Sequence, residues 1–198
     1  PAFNNEWYSR NMYIEGTEEF NHHVKTYGPH KTFGYQHFID MFKAPKFDPN
    51  AWADTIKASK ANYVVSVAEH HEGFQMYKSE LSSWNSFDKG PKRDILGELK
   101  TAFEANDLLF CASTHRAEHW SFMSHGLNFE SDINKDLKKG DFYWPSKPEA
   151  HHYDFASKPE PDQAFLEDWF LRTIEIIDRF MPKILYFDWW IQHQAFKP

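Results

Sequence analysis

Several features are scarce or missing in this chain of 198 residues, and each scarcity excludes a class of protein. The single cysteine, Cys111, excludes an internal disulfide bond. No run of 18 apolar residues occurs, so the sequence predicts no membrane-spanning helix. Basic residues are also fewer than acidic ones, with 22 Lys and Arg against 29 Asp and Glu. The resulting net charge of −7 argues against nucleic acid as the main partner.

The two ends also lack the usual features of a complete chain. The sequence begins with Pro1 instead of methionine, carries no signal-peptide pattern, and stops at Pro198 shortly after a strand-like run. We therefore interpret both ends as cut. On this interpretation the missing targeting signal says nothing about the compartment of the protein.

Aromatic residues, in contrast, are abundant. The chain has 8 Trp, 9 Tyr and 19 Phe, together 18% of all residues. One interpretation is a hydrophobic core rich in rings. The other is a sugar-binding site, because the apolar face of a sugar ring stacks on aromatic side chains while its hydroxyls need polar partners.

Three strand-like runs alternate with helical patterns along the chain. Strands are predicted over 62–68, 108–113 and 184–187, and the helices that precede them over 48–60, 94–107 and 162–181. Asp48, Asp94 and Asp162 stand where N-caps are expected. The first strand is apolar and β-branched, which predicts burial on both of its faces. This order of elements predicts right-handed crossovers and a parallel sheet.

The remaining segments are less regular. Residues 1–34 show little periodicity and predict a loop with a short helix, and residues 35–42 predict one short amphipathic helical turn. Residues 121–161 predict a long polar and aromatic loop, of a length that is usually functional or disordered.

Two α/β architectures fit this order: a doubly wound sheet and a (β/α)8 TIM barrel. No glycine-rich phosphate-binding fingerprint follows any strand, which favours the barrel. A full barrel needs about 250 residues, and only three strands are visible. We therefore interpret residues 1–198 as the N-terminal half or so of a single catalytic barrel domain.

Chemically versatile residues follow each predicted strand, at the edge where ligands bind in parallel sheets. Asp188 ends a strand of otherwise apolar residues, and an unpaired buried carboxylate is costly. It either caps the next loop or serves as a nucleophile or base at the barrel mouth. In the second case Tyr186 and the pair Trp189-Trp190 would form aromatic walls.

The histidines allow several interpretations. His70 and His71 are plain loop residues, a metal pair, or groups that bind hydroxyls; adjacent residues rarely converge on one ion, whereas a neutral imidazole both donates and accepts hydrogen bonds. Residues 115–119 match the inverted zinc-protease motif H-x-x-E-H, which needs a helix. Here the motif directly follows a strand, which disfavours a zinc site. The doublets at 22–23 and 151–152 share no ligand spacing.

Taken together, these blocks resemble the catalytic domain of glycoside hydrolase family 29, the α-L-fucosidases. The matching blocks run in family order through nearly the whole chain: Glu6-Trp7-Tyr8 with Tyr13, then 22–28, 42–53, 61–65, 70–74, 84–86, 90–99 and 184–188. The His70-His71-Glu72-Gly73-Phe74 block and the block at 90–94 are together highly specific to that family.

The resemblance implies a retaining α-L-fucosidase that needs no metal and no organic cofactor. Asp188 would be the nucleophile and form a covalent fucosyl-enzyme. His70 and His71 would hold fucose hydroxyls, and Glu6 and Trp7 would lie at the rim of the fucose pocket.

Two further positions bear on the pocket. Tyr186 occupies the family's aromatic position two residues before the nucleophile. His115 stands where many members carry a tyrosine. Either His115 takes the place of that tyrosine in the fucose pocket, or the pocket differs there.

The resemblance also implies that parts of the domain lie outside this sequence. The family's first barrel strand would precede Pro1, and the acid/base carboxyl would follow Pro198. The chain alone is therefore expected to be a poor catalyst.

Two alternatives remain open: a metal-dependent hydrolase on the same barrel, and a non-catalytic glycan-binding protein. The expected partner is a fucosylated oligosaccharide or glycoconjugate. Such glycans place the protein outside the cytoplasm, in the periplasm, the extracellular medium or the lysosome. Linkage specificity and oligomeric state stay open.

Overall fold

A sheet of three parallel strands organises the chain. In the computed structural model, which describes residues 3–148, 160–193 and 196, the strands are β1 (Tyr63–Glu69), β2 (Leu109–Thr114) and β3 (Leu185–Phe187). β2 lies in the middle, and it pairs in parallel with β1 on one side and β3 on the other. The predicted α/β class and parallel sheet are thus confirmed.

Within the described ranges, six α-helices accompany the sheet. They are α1 (Tyr8–Asn11), α2 (Glu18–Tyr27), α3 (Pro49–Ala58), α4 (Ile95–Ala105), α5 (His119–Phe122) and α6 (Gln163–Phe180). Short 3₁₀ segments span Tyr35–Met41, Arg116–Glu118, Ser124–Leu127 and Trp189–Gln192. Among the described residues, no helix is both long and apolar enough to cross a bilayer.

The three helices that precede the strands, α3, α4 and α6, begin where their caps predict. The side chain of Asp48 accepts hydrogen bonds from two backbone N–H groups of α3, which has Pro49 at its first position. Asp94 caps α4 and Asp162 caps α6 in the same way. Each cap contributes about 1 kcal/mol to helix stability, so these starts are encoded locally.

The helices α3, α4 and α6 pack against one face of the sheet and bury the main core. Its buried members are Ala53, Ala68, Tyr77, Ile95, Leu96, Leu99, Ala102, Phe103, Leu108, Phe110, Ala112, Ile176 and Phe180. In β1, Val64 and Ala68 point toward these helices, whereas Val65 and Val67 on the opposite face are 40% and 42% exposed. The prediction that β1 is buried on both faces is therefore wrong for the described chain. The reason is that a strand rich in β-branched residues does not by itself reveal whether other elements cover one face of the sheet or both.

A second core joins the N-terminal segment to the region after β2. Tyr8, Met12, Tyr13 and Phe38 pack there with Phe122, Met123, Ile133, Phe142 and Tyr143. The predicted short helix of residues 1–34 is present as α1, but the ten-residue α2, capped by Thr17, was missed. Up to residue 148, the predicted loop of 121–161 is largely packed against this core. His151 and His152 lie outside the described residues.

The core predicts a sharp contrast between two neighbouring isoleucines of α6. Ile176 is fully buried and Ile177 is 40% exposed. Ile176→Ala should lower the free energy of unfolding by about 2–5 kcal/mol, because it leaves a cavity. The matched control Ile177→Ala should cost less than about 1 kcal/mol. Equilibrium urea unfolding measures both, and equal losses would contradict the assignment of the inward face.

The second core also predicts acid sensitivity through His23. Its Nε2 lies 2.7 Å from the Phe33 carbonyl oxygen, and its Nδ1 lies 3.0 Å from the Tyr8 hydroxyl. Burial, together with the neighbouring His30, lowers the pKa of His23 to about 4, although its hydrogen bond to the Phe33 carbonyl acts in the opposite direction.

Between pH 6.5 and about 4 the unfolded chain therefore binds a proton at His23 that the folded chain does not. Stability should fall as the pH drops through this window, by about 3 kcal/mol from this residue. His23→Gln should flatten the curve of unfolding free energy against pH, because it removes the group that titrates in this window. An unchanged slope in the His23 variant would show that protonation of His23 does not cause the loss of stability at low pH.

Candidate active site

The ends of the three strands bring three predicted site residues into direct contact. His71 follows β1, His115 follows β2 and Asp188 follows β3. His115 Nδ1 lies 3.1 Å from Asp188 Oδ2 and 3.1 Å from His71 Nε2, and His71 Nε2 lies 3.6 Å from Asp188 Oδ2. The parallel register explains the convergence, since carboxyl ends of parallel strands share one edge.

His115 is held as a neutral donor to Asp188. Burial, reinforced by the neighbouring His71 and His70, lowers the pKa of His115 to about 4, although the Asp188 carboxylate acts in the opposite direction. A carboxylate only accepts hydrogen bonds, so the proton of the neutral ring sits on Nδ1 and is donated to Asp188. The Asp188 side chain is 26% exposed, so solvent reaches it.

His71 has a buried carboxylate behind it. Its Nε2 lies 2.8 Å from Oε2 of Glu118, and both side chains are almost fully buried. Nε2 of His71 also lies 3.1 Å from His115 Nδ1, so it can accept from that N–H. Nδ1 of His71 is buried and has no hydrogen-bond partner among the described residues.

His70 and Glu72 form a second such pair. His70 Nδ1 lies 3.2 Å from Glu72 Oε2, and the His70 ring is 4.2 Å from that of His71. Burial alone would lower the pKa of His70, but the hydrogen bond and charge of Glu72 outweigh it and the pKa is raised. Likewise, burial would raise the pKa of Glu72, but the hydrogen bond and charge of His70 leave it lowered.

The predicted rim residues lie beside these histidines. The Trp7 ring is 5.4 Å from the His71 ring and 5.7 Å from that of Phe122. Glu6 lines a cleft of about 370 Å³ together with His70 and Glu72. The loop before α1 therefore folds over the strand ends and brings Glu6 and Trp7 close to the histidines.

The residues predicted to form aromatic walls, Tyr186 and the pair Trp189-Trp190, differ in their exposure and contacts. Tyr186 is half exposed, and its hydroxyl lies 3.4 Å from Asp188 Oδ1. Trp190 is buried and packs against His193, with ring centroids 4.2 Å apart. The side chain of Trp189 lies outside the described part of the chain.

Beneath the strand ends lies a buried network of four charges. Arg172 Nη1 lies 3.0 Å from Glu69 Oε1, and Arg172 Nε lies 3.0 Å from Asp168 Oδ2. Arg116 donates to the same Asp168 oxygen at 2.7 Å and lies 3.5 Å from Glu69. Burial would raise the pKa of Asp168, but the two arginines leave it lowered. Since Glu69 precedes His70 and Arg116 follows His115, this network fixes two strand ends to α6.

Gly73 allows the close packing around this network. Its φ is +84°, a conformation that L side chains rarely adopt. A Cβ there would lie 2.8 Å from Arg116 Nη1 and 3.0 Å from His119 Cε1. Gly73 therefore has two roles: it adopts the positive φ of the turn after His71, and its lack of a side chain lets Arg116 and His119 pack close to the backbone.

The H-x-x-E-H match does not fold as the zinc motif requires. A 3₁₀ turn spans Arg116–Glu118 and α5 begins only at His119, so no continuous helix carries both histidines. His119 donates from Nδ1 to the backbone carbonyl of His71 at 2.8 Å and is fully buried. The motif thus supplies His115 to the pocket, Glu118 to His71, and His119 to the backbone.

Comparison with known proteins places this arrangement in a family. The family model described as alpha-L-fucosidase matches residues 1–197. This chain belongs to the α-L-fucosidase family.

Relatives and a solved structure agree with this assignment. Human plasma alpha-L-fucosidase is 40% identical over 56% of this chain and 24% of its own length. Tissue alpha-L-fucosidase of Bos taurus is 32% identical over 82% of this chain and 33% of its own. Thermotoga maritima alpha-fucosidase, solved in complex with fucose, has a TM-score of 0.69 and 27% identity over 92% of this chain and 38% of its own. The chain spans well under half the length of these relatives.

Two functional candidates in this α-L-fucosidase family member were missed from sequence. In the sequence, Glu118 stands out only as the glutamate of the H-x-x-E-H match. The buried pair Asp168 and Arg172 was not singled out at all, although charges four residues apart on the inward stripe of α6 are an unusual signal. The roles of Asp188, His70 and His71 stay predictions.

The charge network predicts a large stability effect at one arginine of α6. Arg172→Met should cost about 3–5 kcal/mol of unfolding free energy, because it leaves buried Glu69 and Asp168 short of a partner. The matched control Arg179→Met, on the exposed side of the same helix, removes ion pairs at 3.7 and 3.9 Å and should cost less than about 1 kcal/mol. Chemical denaturation checks this, and an Arg172 variant as stable as the control would refute it.

Proposed function

We propose that the protein carrying this chain is a retaining α-L-fucosidase that removes terminal α-L-fucosyl residues from glycans. The observation that carries the proposal is the contact of the Asp188 carboxylate with His115 and His71 at the carboxyl ends of three parallel strands. The names of the curated relatives support the substrate class. Neither alternative, a metal-dependent hydrolase or a non-catalytic glycan-binding protein, gains support from the comparisons.

In this mechanism Asp188 is the nucleophile. It attacks the anomeric carbon of fucose, the glycosidic bond breaks, and a covalent fucosyl-enzyme forms. The hydrogen bond from His115 Nδ1 holds the carboxylate in place and keeps one of its oxygens engaged. The other oxygen, 3.4 Å from the Tyr186 hydroxyl, is the one we assign to the attack.

A second carboxyl protonates the leaving oxygen and then deprotonates the water that hydrolyses the intermediate; in retaining enzymes the two carboxyls lie about 5–5.5 Å apart. We place this acid/base outside the present sequence. Glu118 is buried behind His71, Glu69 belongs to the arginine network, and Glu72 is engaged with His70. None of the three presents a carboxyl that is both accessible and uncommitted.

The imidazoles suit the hydroxyls of a sugar. His115 donates from Nδ1 to Asp188, which leaves Nε2 as an acceptor. His71 lies beside it, with Nε2 3.1 Å from His115 Nδ1 and 3.6 Å from Asp188 Oδ2. The Trp7 ring beside His71 offers an apolar surface for the sugar ring, and Glu6 adds an acceptor at the cleft. This combination of acceptors and one aromatic face is what fucose binding requires.

We further propose that the three strands belong to a (β/α)8 barrel of which this chain forms about half. The face of the sheet away from the helices carries exposed apolar side chains: Tyr63, Val65, Val67, Leu109 and Tyr186. An apolar groove of about 760 Å³ also runs along the β1 side of the sheet. In a closed barrel, further strands would pair with the edges of this sheet, and their side chains would fill the interior and cover both surfaces.

Two consequences follow for the biology of the protein. The chain alone, without the remaining strands and the acid/base, should be a poor catalyst. Location outside the cytoplasm follows from the substrate, and the name of the human plasma relative is consistent with it.

The proposal predicts the kinetics of an Asp188 variant of the full-length protein. Asp188→Ala should reduce kcat for an aryl α-L-fucoside by about 10³-fold or more, because no covalent intermediate can form. The control Asp178→Ala, an exposed aspartate on α6, should retain full activity. Proton NMR of the wild-type reaction should show α-L-fucose as the first product, as a retaining mechanism requires.

A chemical rescue separates loss of the nucleophile from misfolding. Azide fits the space left in Asp188→Ala and should restore turnover with β-L-fucosyl azide as the product. Full activity of the variant would move the nucleophile elsewhere. First release of β-L-fucose by the wild type would overturn the retaining mechanism.

A further inference from the structure

The histidines at the strand ends form a cluster that sugar binding alone does not require. Each of His70, His71 and His115 offers a ring nitrogen, and these three atoms all lie within 4.8 Å of one another. Asp188 Oδ2 lies 3.1 Å from His115 Nδ1 and 3.6 Å from His71 Nε2. We propose that this pocket also binds a divalent transition-metal ion of the Zn²⁺ class through these four side chains, and that the ion excludes the sugar.

The spacing of the donor atoms fits such an ion. Zn²⁺ binds imidazole nitrogen at about 2.0–2.1 Å and carboxylate oxygen at about 2.0–2.2 Å, so tetrahedral neighbours are roughly 3.3 Å apart. The three distances among His71 Nε2, His115 Nδ1 and Asp188 Oδ2 are 3.1, 3.1 and 3.6 Å. These three atoms therefore need only small shifts to share one ion.

The surrounding carboxylates provide orientation and charge. Glu72 Oε2 contacts Nδ1 of His70, which leaves Nε2 as the ligand atom, an arrangement that orients metal-bound histidines in many sites. Glu118 Oε2 lies 2.8 Å from the His71 nitrogen that would bind, so it adds a negative charge next to the ion. Asp188 and Glu118 together offset a charge of +2.

Proton balance is simple. In the ion-free protein, Nδ1 of His115 carries the ring proton that it donates to Asp188. When the ion binds, this proton moves to Nε2 of the same ring, His71 binds through the Nε2 lone pair, and both imidazoles stay neutral. No oxidant, reductant or group transfer is needed.

The donor set determines which ions bind. Three imidazole nitrogens and one carboxylate oxygen favour Zn²⁺, Co²⁺, Ni²⁺ and Cu²⁺ over Mg²⁺ and Ca²⁺, which prefer oxygen. His115 is decisive, since without it only the adjacent pair His70 and His71 would remain with Asp188. The inference deepens the proposed function, because the ion would occupy the groups assigned to the nucleophile and to the fucose hydroxyls.

Direct binding tests the site without reference to activity. Isothermal titration of the metal-free full-length protein with ZnCl₂, in a buffer that does not bind metal, should show one ion per chain with a micromolar or lower Kd. Co²⁺ should give the intense visible absorption of a four-coordinate site. MgCl₂ should give no heat. Failure of Zn²⁺ to bind at 100 µM would overturn the inference.

Variants locate the site. His115→Phe and Asp188→Asn should each weaken Zn²⁺ binding at least tenfold, while His22→Gln, on the distant helix α2, should leave the Kd unchanged. Two variants of different chemistry guard against a folding defect in one of them, and circular dichroism checks both. Undiminished binding in both would show that Zn²⁺ sits elsewhere and would refute the assignment.

Competition links the ion to the pocket. L-Fucose should raise the apparent Kd of Zn²⁺, and Zn²⁺ should inhibit aryl α-L-fucoside hydrolysis competitively. If the enzyme is active and Zn²⁺ does not bind, this inference fails and the proposed function stands. If Zn²⁺ binds at His115 but no fucoside is hydrolysed with or without it, the proposed function fails and the metal site stands.

Discussion

The buried network of Glu69, Arg116, Asp168 and Arg172 is the interaction on which the site depends. Glu69 and Arg116 are the chain neighbours of the site histidines His70 and His115. Asp168 and Arg172 both come from the helix α6. Buried charges tolerate little displacement, because each separation leaves an uncompensated charge in a medium of low polarity. The network therefore ties the position of α6 to the orientation of the residues that follow β1 and β2.

Above this network the site is built from imidazole and carboxylate pairs. His70 pairs with Glu72, His71 with Glu118, and His115 with Asp188. Each pairing places a carboxylate next to one ring nitrogen. The carboxylates thus hold the three imidazoles in fixed orientations at the strand ends. The same arrangement is compatible with a sugar, whose hydroxyls use donors and acceptors, and with a metal ion, which uses lone pairs alone.

Much of the architecture was predictable from local signals. Asp48, Asp94 and Asp162 start helices because a capping side chain satisfies backbone N–H groups within its own turn. The apolar runs after Asn62 and before Asp188 form strands, and a parallel sheet places their polar ends at one edge. The meeting of His71, His115 and Asp188 could thus be anticipated. The helix α2 was missed although its cap Thr17 and the acidic first turn are local signals. Its apolar pattern is weak, since only Tyr27 packs against the second core.

The α/β class, the starts of the helices that precede the strands and the edge at which the site lies are encoded in the sequence, because they follow from interactions within a few residues. Contacts across the fold, in contrast, place Glu118 behind His71, bring Trp7 to the strand ends and put the charges of α6 beneath them. They also leave one face of β1 exposed in the described chain. Those features depend on contacts between residues tens of positions apart, whose distances are set by helix packing on the sheet and not by any local pattern.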